Sequence, residues 1–139
     1  MAKKQKSLNM TEYEMTLNVL KKFKNYELFE EVAFFRRSID LVLIDSKKDI
    51  LKTIEFKLSD WKKAIKQAID HQIIADYAYL CMPKKKINAQ MMEQLNKYGI
   101  GLYLYDSATD NLELVVQPRK SETHRKYFKA KIMTRLQGA

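Results

Sequence analysis

A carboxylate and an ammonium stand two residues apart in the segment ILKTIEFKL, residues 50 to 58, where Glu55 and Lys57 interrupt a largely apolar run. In an extended chain successive side chains alternate faces, so Glu55 and Lys57 project together while Ile54, Phe56 and Leu58 take the other side. A second charge in an apolar setting lies 15 residues earlier. Asp40, in SIDLVLID, shares a face with Val42 and Ile44, opposite Ile39, Leu41 and Leu43. If the turn DSKKD pairs the two segments so that Asp40 falls beside Glu55, two carboxylates converge next to a lysine. Unpaired burial of such groups is costly, and neighbouring carboxylates raise each other's pKa unless a divalent cation bridges them. Oxygen donors of this kind suit Mg2+, with Mn2+ as a substitute. The ion would acidify a bound water and offset the charge that builds on a phosphoryl group, while Lys57 orients or deprotonates the attacking water or stabilises that charge. The chemistry is phosphodiester hydrolysis. An E-x-K triplet alone occurs by chance in many proteins and usually marks a solvated strand face. The spacing to Asp40, the apolar context of both segments and a helix that begins at Trp61 raise it above that level.

The elements that must position these residues can be read from periodicity. Thr11 is a good N-cap, and Met15, Val19, Leu20 and Phe23 recur at helical spacing, so residues 11–24 read as a first helix. Residues 27–35, 38–45 and 50–58 read as a three-stranded meander. Asp60 can cap a helix through residue 75 whose stripe is Ala64, Ile65, Ala68, Ile69 and Ile73. DYAYLCMP is continuously apolar, which suits an inner strand paired in parallel with the helix as its crossover. A further helix ends at Tyr98-Gly99, IGLYLYD and LELVVQP form a hairpin, and Ser121 can cap a basic terminal helix. Met91, Met92, Leu95 and Tyr98 read as core or a dimer face, and Tyr103 and Tyr105 as packing beneath the terminal helix.

The chain of 139 residues, 46% hydrophobic, suffices for one core and is short for two domains. Cys81 is the single cysteine and lies in an apolar run, so no intramolecular disulfide forms. This points to a reducing compartment, taken as cytoplasmic. No apolar stretch approaches the roughly 20 residues a spanning helix needs, which argues against a membrane partner. The formal charge is +9. Residues 1–6 hold Lys3, Lys4 and Lys6, and residues 119–139 hold seven basic side chains against Glu122. Residues 7–118 are balanced, with 16 basic and 16 acidic side chains. The expected organisation is a basic tail over residues 1–10, a domain over 11–118, and a basic helical arm over 119–139 packed on that domain. Basic ends commonly meet a polyanion, because each neutralised phosphate releases counterions.

In these features the chain resembles the PD-(D/E)xK, or restriction-endonuclease-like, superfamily. The superfamily's αβββαβ core corresponds to residues 11–82, just over half the chain. Its second-strand acid falls on Asp40 and its motif on Glu55, Phe56 and Lys57. The resemblance implies an α/β fold with a mixed central sheet, to which this chain adds a C-terminal hairpin and basic helix. It also implies that the main-chain carbonyl of Phe56 completes the metal shell, and that a first-helix glutamate faces the metal. Glu12 fits that place best, with Glu14 as the alternate, and Glu31 on the first strand is a further acid within reach. Gln67 resembles the glutamine that the helix after the motif often supplies, with Lys63 and His71 one turn to either side. A lone histidine there reads more simply as a helix-surface residue. SID replaces the literal Pro-Asp and leaves the turn before Asp40 undetermined.

The resulting expectation is a metal-dependent DNA endonuclease, resolvase-like or repair-like. A homodimer is expected, since one domain carries one site and cutting both strands is simplest with two. DNA would be gripped through Lys62, Lys63, Lys66, Arg125, Lys126 and Lys129, with Lys84 to Lys86 adding charge. The rivals are a non-cleaving DNA-binding module of the same fold and a protein-interaction subunit whose basic ends meet an acidic partner.

Overall fold

The computed structural model describes residues 10–138. Most of the expected tail, residues 1–9, lies outside the described residues.

The first helix, α1, spans Glu12–Leu20. Thr11 closes a capping box: its hydroxyl accepts from the Glu14 amide at 3.0 Å, and the Glu14 carboxylate accepts from the Thr11 amide at 3.3 Å. Two of the amides left orphaned at a helix start are thereby satisfied. The strands β1 (Glu27–Phe34), β2 (Arg37–Asp45) and β3 (Ile50–Phe56) follow as an antiparallel meander. Helix α2, Trp61–His71, is capped by Asp60, whose carboxylate accepts from the Lys63 amide at 3.3 Å. It crosses over to β4 (Tyr77–Pro83), which runs parallel to β3. Helix α3 (Ala89–Tyr98), capped by Asn88 and closed by Gly99 at φ 70°, leads to β5 (Gly101–Asp106), parallel to β4. β6 (Asn111–Val116) pairs antiparallel with β5, and α4 covers Lys126–Gln137. The six strands form one mixed sheet in chain order.

Elements and order agree with the sequence: α/β, with an αβββαβ core extended by a hairpin and a basic helix. The unbroken apolar run of β4 has the cause expected, parallel neighbours on both edges. Three details differ. Helix α2 stops at His71, so Ile73 lies in the turn before β4. Strand β3 ends at Phe56, so Lys57 stands just beyond it, although its amide still donates to the Cys81 carbonyl at 3.1 Å. Ser121 does not cap α4: its hydroxyl donates to the Gln72 carbonyl at the end of α2, and α4 begins at Lys126 without a side-chain cap.

Two faces of the sheet are buried. On one, Met15 and Val19 of α1 pack against Leu41, Leu43, Ile54 and Phe56. Tyr79, Tyr103 and Tyr105 join this cluster, so those last two tyrosines lie near α1 and not beneath the terminal helix. On the other, Ala64, Ile65 and Ala68 of α2 with Met91 and Leu95 of α3 cover Leu80, Met82 and Leu102. Ile132 of α4 completes that face beside Val42, Ile44 and Leu51. Met91 and Leu95 are therefore core, while Tyr98 remains 37% exposed. Each buried Leu or Ile contributes about 1.5–3 kcal/mol, so the packing that fixes β2, β3 and α2 is far stronger than the polar contacts at their ends. Among the described residues no helix is long and apolar enough to cross a membrane.

Candidate active site

The antiparallel register of β2 and β3 sets Leu41 opposite Ile54, so the next position sets Asp40 opposite Glu55. There the backbone ladder gives way to side chains. The Asp40 amide donates to Glu55 Oε1 at 3.2 Å, and the Phe56 amide donates to Asp40 Oδ2 at 2.8 Å. Each carboxylate thus grips the other's strand.

A change of phase aims them. Ile39 and Val42, three residues apart, enter the same apolar cluster, as do Phe29 and Val32 across from them. The strict two-residue alternation is therefore interrupted on both strands, at Asp40 and at the facing Glu31. Glu31 has φ 48°, in the left-handed region that bulky residues avoid, and the Glu31–Asp40 pair is skipped in the β1–β2 ladder. Such irregularities in a ladder re-aim side chains. Asp40 consequently does not share the face of Val42 and Ile44, as plain alternation implies, but turns toward the end of β3.

Glu55 is 2% exposed, and its carboxyl pKa is pushed up to about 8, first by burial and next by the facing Asp40 charge. Burial also raises that of Asp40, with the Phe56 amide working against it. Glu31 adds a repulsive contribution at Asp40, and the Lys57 charge favours ionisation of both carboxyls. Among the described residues no lysine or arginine nitrogen lies within 4.0 Å of either. The pair is thus a buried acid opposed by a half-buried one, an arrangement that favours retention of a proton.

Behind Glu55 stands α2. His71 is 3% exposed and sits on the buried stripe with Ala64 and Ala68, edge-on to Phe34 at 5.7 Å between centroids. Its Nδ1 is 3.9 Å from Glu55 Oε1, beyond hydrogen-bond length, and has no hydrogen-bond partner. Burial, assisted by Arg37, lowers its pKa to about 4, so the ring is neutral near pH 7. Gln67 also presents a buried Oε1 without a partner. His71, read from sequence as a surface residue, is therefore inside. The signal was its position seven after Ala64 and three after Ala68, on the apolar stripe.

The remaining candidates divide. The Glu14 carboxylate is committed to the Thr11 cap. Glu12, half-buried, offers its backbone carbonyl to Thr16 Oγ1 at 2.9 Å, and among the described residues no hydrogen bond joins it to Asp40 or Glu55. Lys62, Lys63 and Lys66 are exposed on α2, and Arg125 and Lys126 are exposed where α4 begins. Lys129 is not a surface cation. It is 7% exposed, with Nζ 3.0 Å from Asp76 Oδ2 and 3.5 Å from Asp49 Oδ2. Its place on the α4 stripe with Ile132 and Leu136 turns it inward, where the buried carboxylate holds it. These contacts lie where β3 begins, and Leu51 to Glu55 spans about 13 Å at roughly 3.3 Å per residue. The Lys129 contacts and the acidic pair thus occupy opposite ends of the strand.

A divalent ion suits this donor set in one respect. Two opposed carboxylates that share a proton can exchange it for a cation, and Mg2+ typically takes one or two carboxylates and fills its shell with water and phosphate. Among the described residues no group of three acidic, histidine or cysteine side chains is assembled to hold a metal. Further donors would have to be main-chain oxygen, water or substrate.

No protein-family model matches the chain, and no curated protein matches its sequence. Among solved structures it is similar to SPO1766, a protein of unknown function from Silicibacter pomeroyi, with a TM-score of 0.61 and 13% identity over 84% of this chain and 75% of that one. It is also similar, with a TM-score of 0.42 and 11% identity over 76% of this chain and 60% of the other, to SfsA from Pyrococcus furiosus in complex with Ca2+. At such identities the likeness to SPO1766 is one of fold alone.

Proposed function

We propose that this chain is a metal-dependent nuclease that hydrolyses DNA phosphodiester bonds at Asp40, Glu55 and Lys57. The observation that carries the proposal is the opposition of Asp40 and Glu55, two acids turned toward each other at the end of a buried strand pair with no arginine or lysine bonded to either. Proteins pair buried charges or use them, and this couple accepts main-chain amides while no lysine or arginine among the described residues is bonded to it.

Asp40 and Glu55 would hold Mg2+ or Mn2+, with the Phe56 carbonyl as a further oxygen donor. When bound, such an ion supplies Lewis acidity at the scissile phosphate and a bound water of lowered pKa. Lys57, just beyond β3 and acting on both carboxyls by its charge, would set a cation where charge builds on the phosphoryl oxygens and orient the attacking water. Gln67, whose buried Oε1 lacks a hydrogen-bond partner, would accept from a water enclosed beside the site. His71, neutral and apolar-flanked, holds the back of Glu55 without competing as a cation. The exposed Lys62, Lys63 and Lys66 lie on the helix that follows the motif and suit a phosphate backbone.

The test is cleavage of end-labelled duplex, nicked, flapped and four-way DNA with Mg2+, Mn2+ or EDTA. We expect metal-dependent cutting that Asp40→Ala and Lys57→Ala abolish while DNA binding persists. Binding of these substrates with no cutting of any would replace the reading with a non-cleaving module.

A further inference from the structure

The turn between β1 and β2 holds Phe35, 73% exposed, at φ 56°. A bulky side chain is unfavourable in this left-handed region, and strain of this kind persists where the surroundings enforce it. The ring belongs to an array. Phe35 meets Phe34 edge-on at 4.7 Å and Phe128 of α4 at 6.1 Å, and Phe128 meets Tyr127 at 5.5 Å. Tyr127 is 69% exposed.

These rings line an open groove of about 660 Å³ whose walls include Lys131 and Arg135. Phe34 and Phe35 also form the wall of a second cleft of about 570 Å³, shared with Arg36, Arg37, Gln67 and His71. His71 Nδ1 is 3.9 Å from Glu55 Oε1, so this second cleft borders the helix residue that stands behind the candidate active site. The rim of the aromatic surface is cationic. Arg36 and Lys131 are exposed, and Lys131 lies over the Tyr127 ring at 5.8 Å; Arg37 is paired with Asp70 at 3.6 Å.

Building on the nuclease reading, we propose that this surface holds an unpaired segment of DNA strand, with Phe35 as the platform on which a base stacks and Arg36 and Lys131 beside its phosphates. Rings that stack bases and cations that follow the backbone are how unpaired strands are held without sequence reading. Bases inside a duplex have both faces covered by their neighbours and cannot reach Phe35. The substrate class is therefore DNA with a single-stranded part, such as a flap, fork or gap. A second copy of this chain is the poorer occupant, because a two-fold contact would set Arg36, Lys131 and Arg135 against the same cations of the other copy.

The test is fluorescence anisotropy of the full chain in EDTA, with a fluorescein-labelled oligothymidine and a blunt duplex of equal length. Phe35→Asn removes the ring at a backbone conformation that asparagine accepts, and Phe35→Trp keeps a ring. We expect Phe35→Asn to weaken single-strand binding about tenfold. Duplex binding should change by less than about twofold, and Phe35→Trp should retain affinity. Absence of single-strand binding, no loss in Phe35→Asn, or equal loss on both probes would overturn the proposal. So would a Phe35→Asn chain that passes from dimer to monomer at unchanged affinity, which would assign the surface to a second copy. Because binding is read without metal, the two readings fail separately. Phe35-dependent binding by a chain that cuts nothing leaves this inference standing and ends the nuclease reading. Cutting by a chain in which Phe35 substitution is silent does the reverse.

Discussion

Where β3 and β4 begin, Asp76 is buried at 3% exposure, and its surroundings supply it with an amide and a cation. Asp76 Oδ2 accepts from the Leu51 amide at 2.8 Å and lies 3.0 Å from Lys129 Nζ, while His124 Nε2 is 3.4 Å from Oδ1. Where β3 ends, buried Glu55 and half-buried Asp40 face each other and each accepts an amide hydrogen bond, but among the described residues neither has a lysine or arginine within 4.0 Å. The two ends of β3 thus differ: a buried acid beside its start is paired with a cation, and the acidic couple at its end is not, among the described residues. The first ties α4 to the sheet, since Lys129 reaches from that helix to Asp76 and to Asp49 in the β2–β3 turn. The second links the ends of β2 and β3 through two amide–carboxylate hydrogen bonds.

The sharpest way to break this comparison is to orphan the paired acid. Lys129→Ala leaves Asp76 buried without its cation and should destabilise the fold by about 3–5 kcal/mol. Asp40→Asn should cost little or be stabilising, because it removes one of two repelling acids. Urea unfolding of both variants in EDTA checks the contrast, and similar losses in the two would show that the sites do not differ in kind.

A smaller effect concerns pH. Glu55 has a folded-state pKa near 8 against an ordinary 4.5, so the folded chain holds an extra proton between those values and loses stability as pH rises. His71, near 4 against 6.5, has the opposite sense: the unfolded chain binds the extra proton between those values, so stability rises with pH there. Between about 4.5 and 6.5 the two slopes oppose each other. From 6.5 to 8 His71 no longer opposes the slope set by Glu55 and the Asp40 that faces it. Stability measured in EDTA should fall over that interval in the natural chain, and Glu55→Gln should flatten the fall. An unchanged fall in Glu55→Gln would assign it to another group.

The sequence and the structure agree most where burial overrides everything else. Asp40 and Glu55 were visible because each is a charge inside an apolar run, and the turn length between β2 and β3 fixes the register that opposes them. The strand and helix types followed from the same periodicities. What was hidden has two physical sources. The left-handed Glu31 and the phase change at Asp40 are backbone events that no residue type announces, since glutamate has no preference for that conformation. His71 and Lys129 were hidden differently. Both lie on apolar helical stripes, but residue type outweighed position, so a histidine was placed at the surface and a lysine among the DNA contacts. The acids that would complete a metal shell, Glu12, Glu14 and Glu31, rested on resemblance alone. Of these, Glu14 is engaged in a helix cap.

The account's central claim is that Asp40 and Glu55 oppose each other in order to hold a divalent cation. Calorimetric titration of Mn2+ into the natural chain and into Asp40→Asn at pH 8 tests it most directly. The account expects one ion per chain, with proton release in the natural protein as the shared proton is displaced, and loss of that binding in Asp40→Asn. Equal binding by both chains, or none by either, would contradict it.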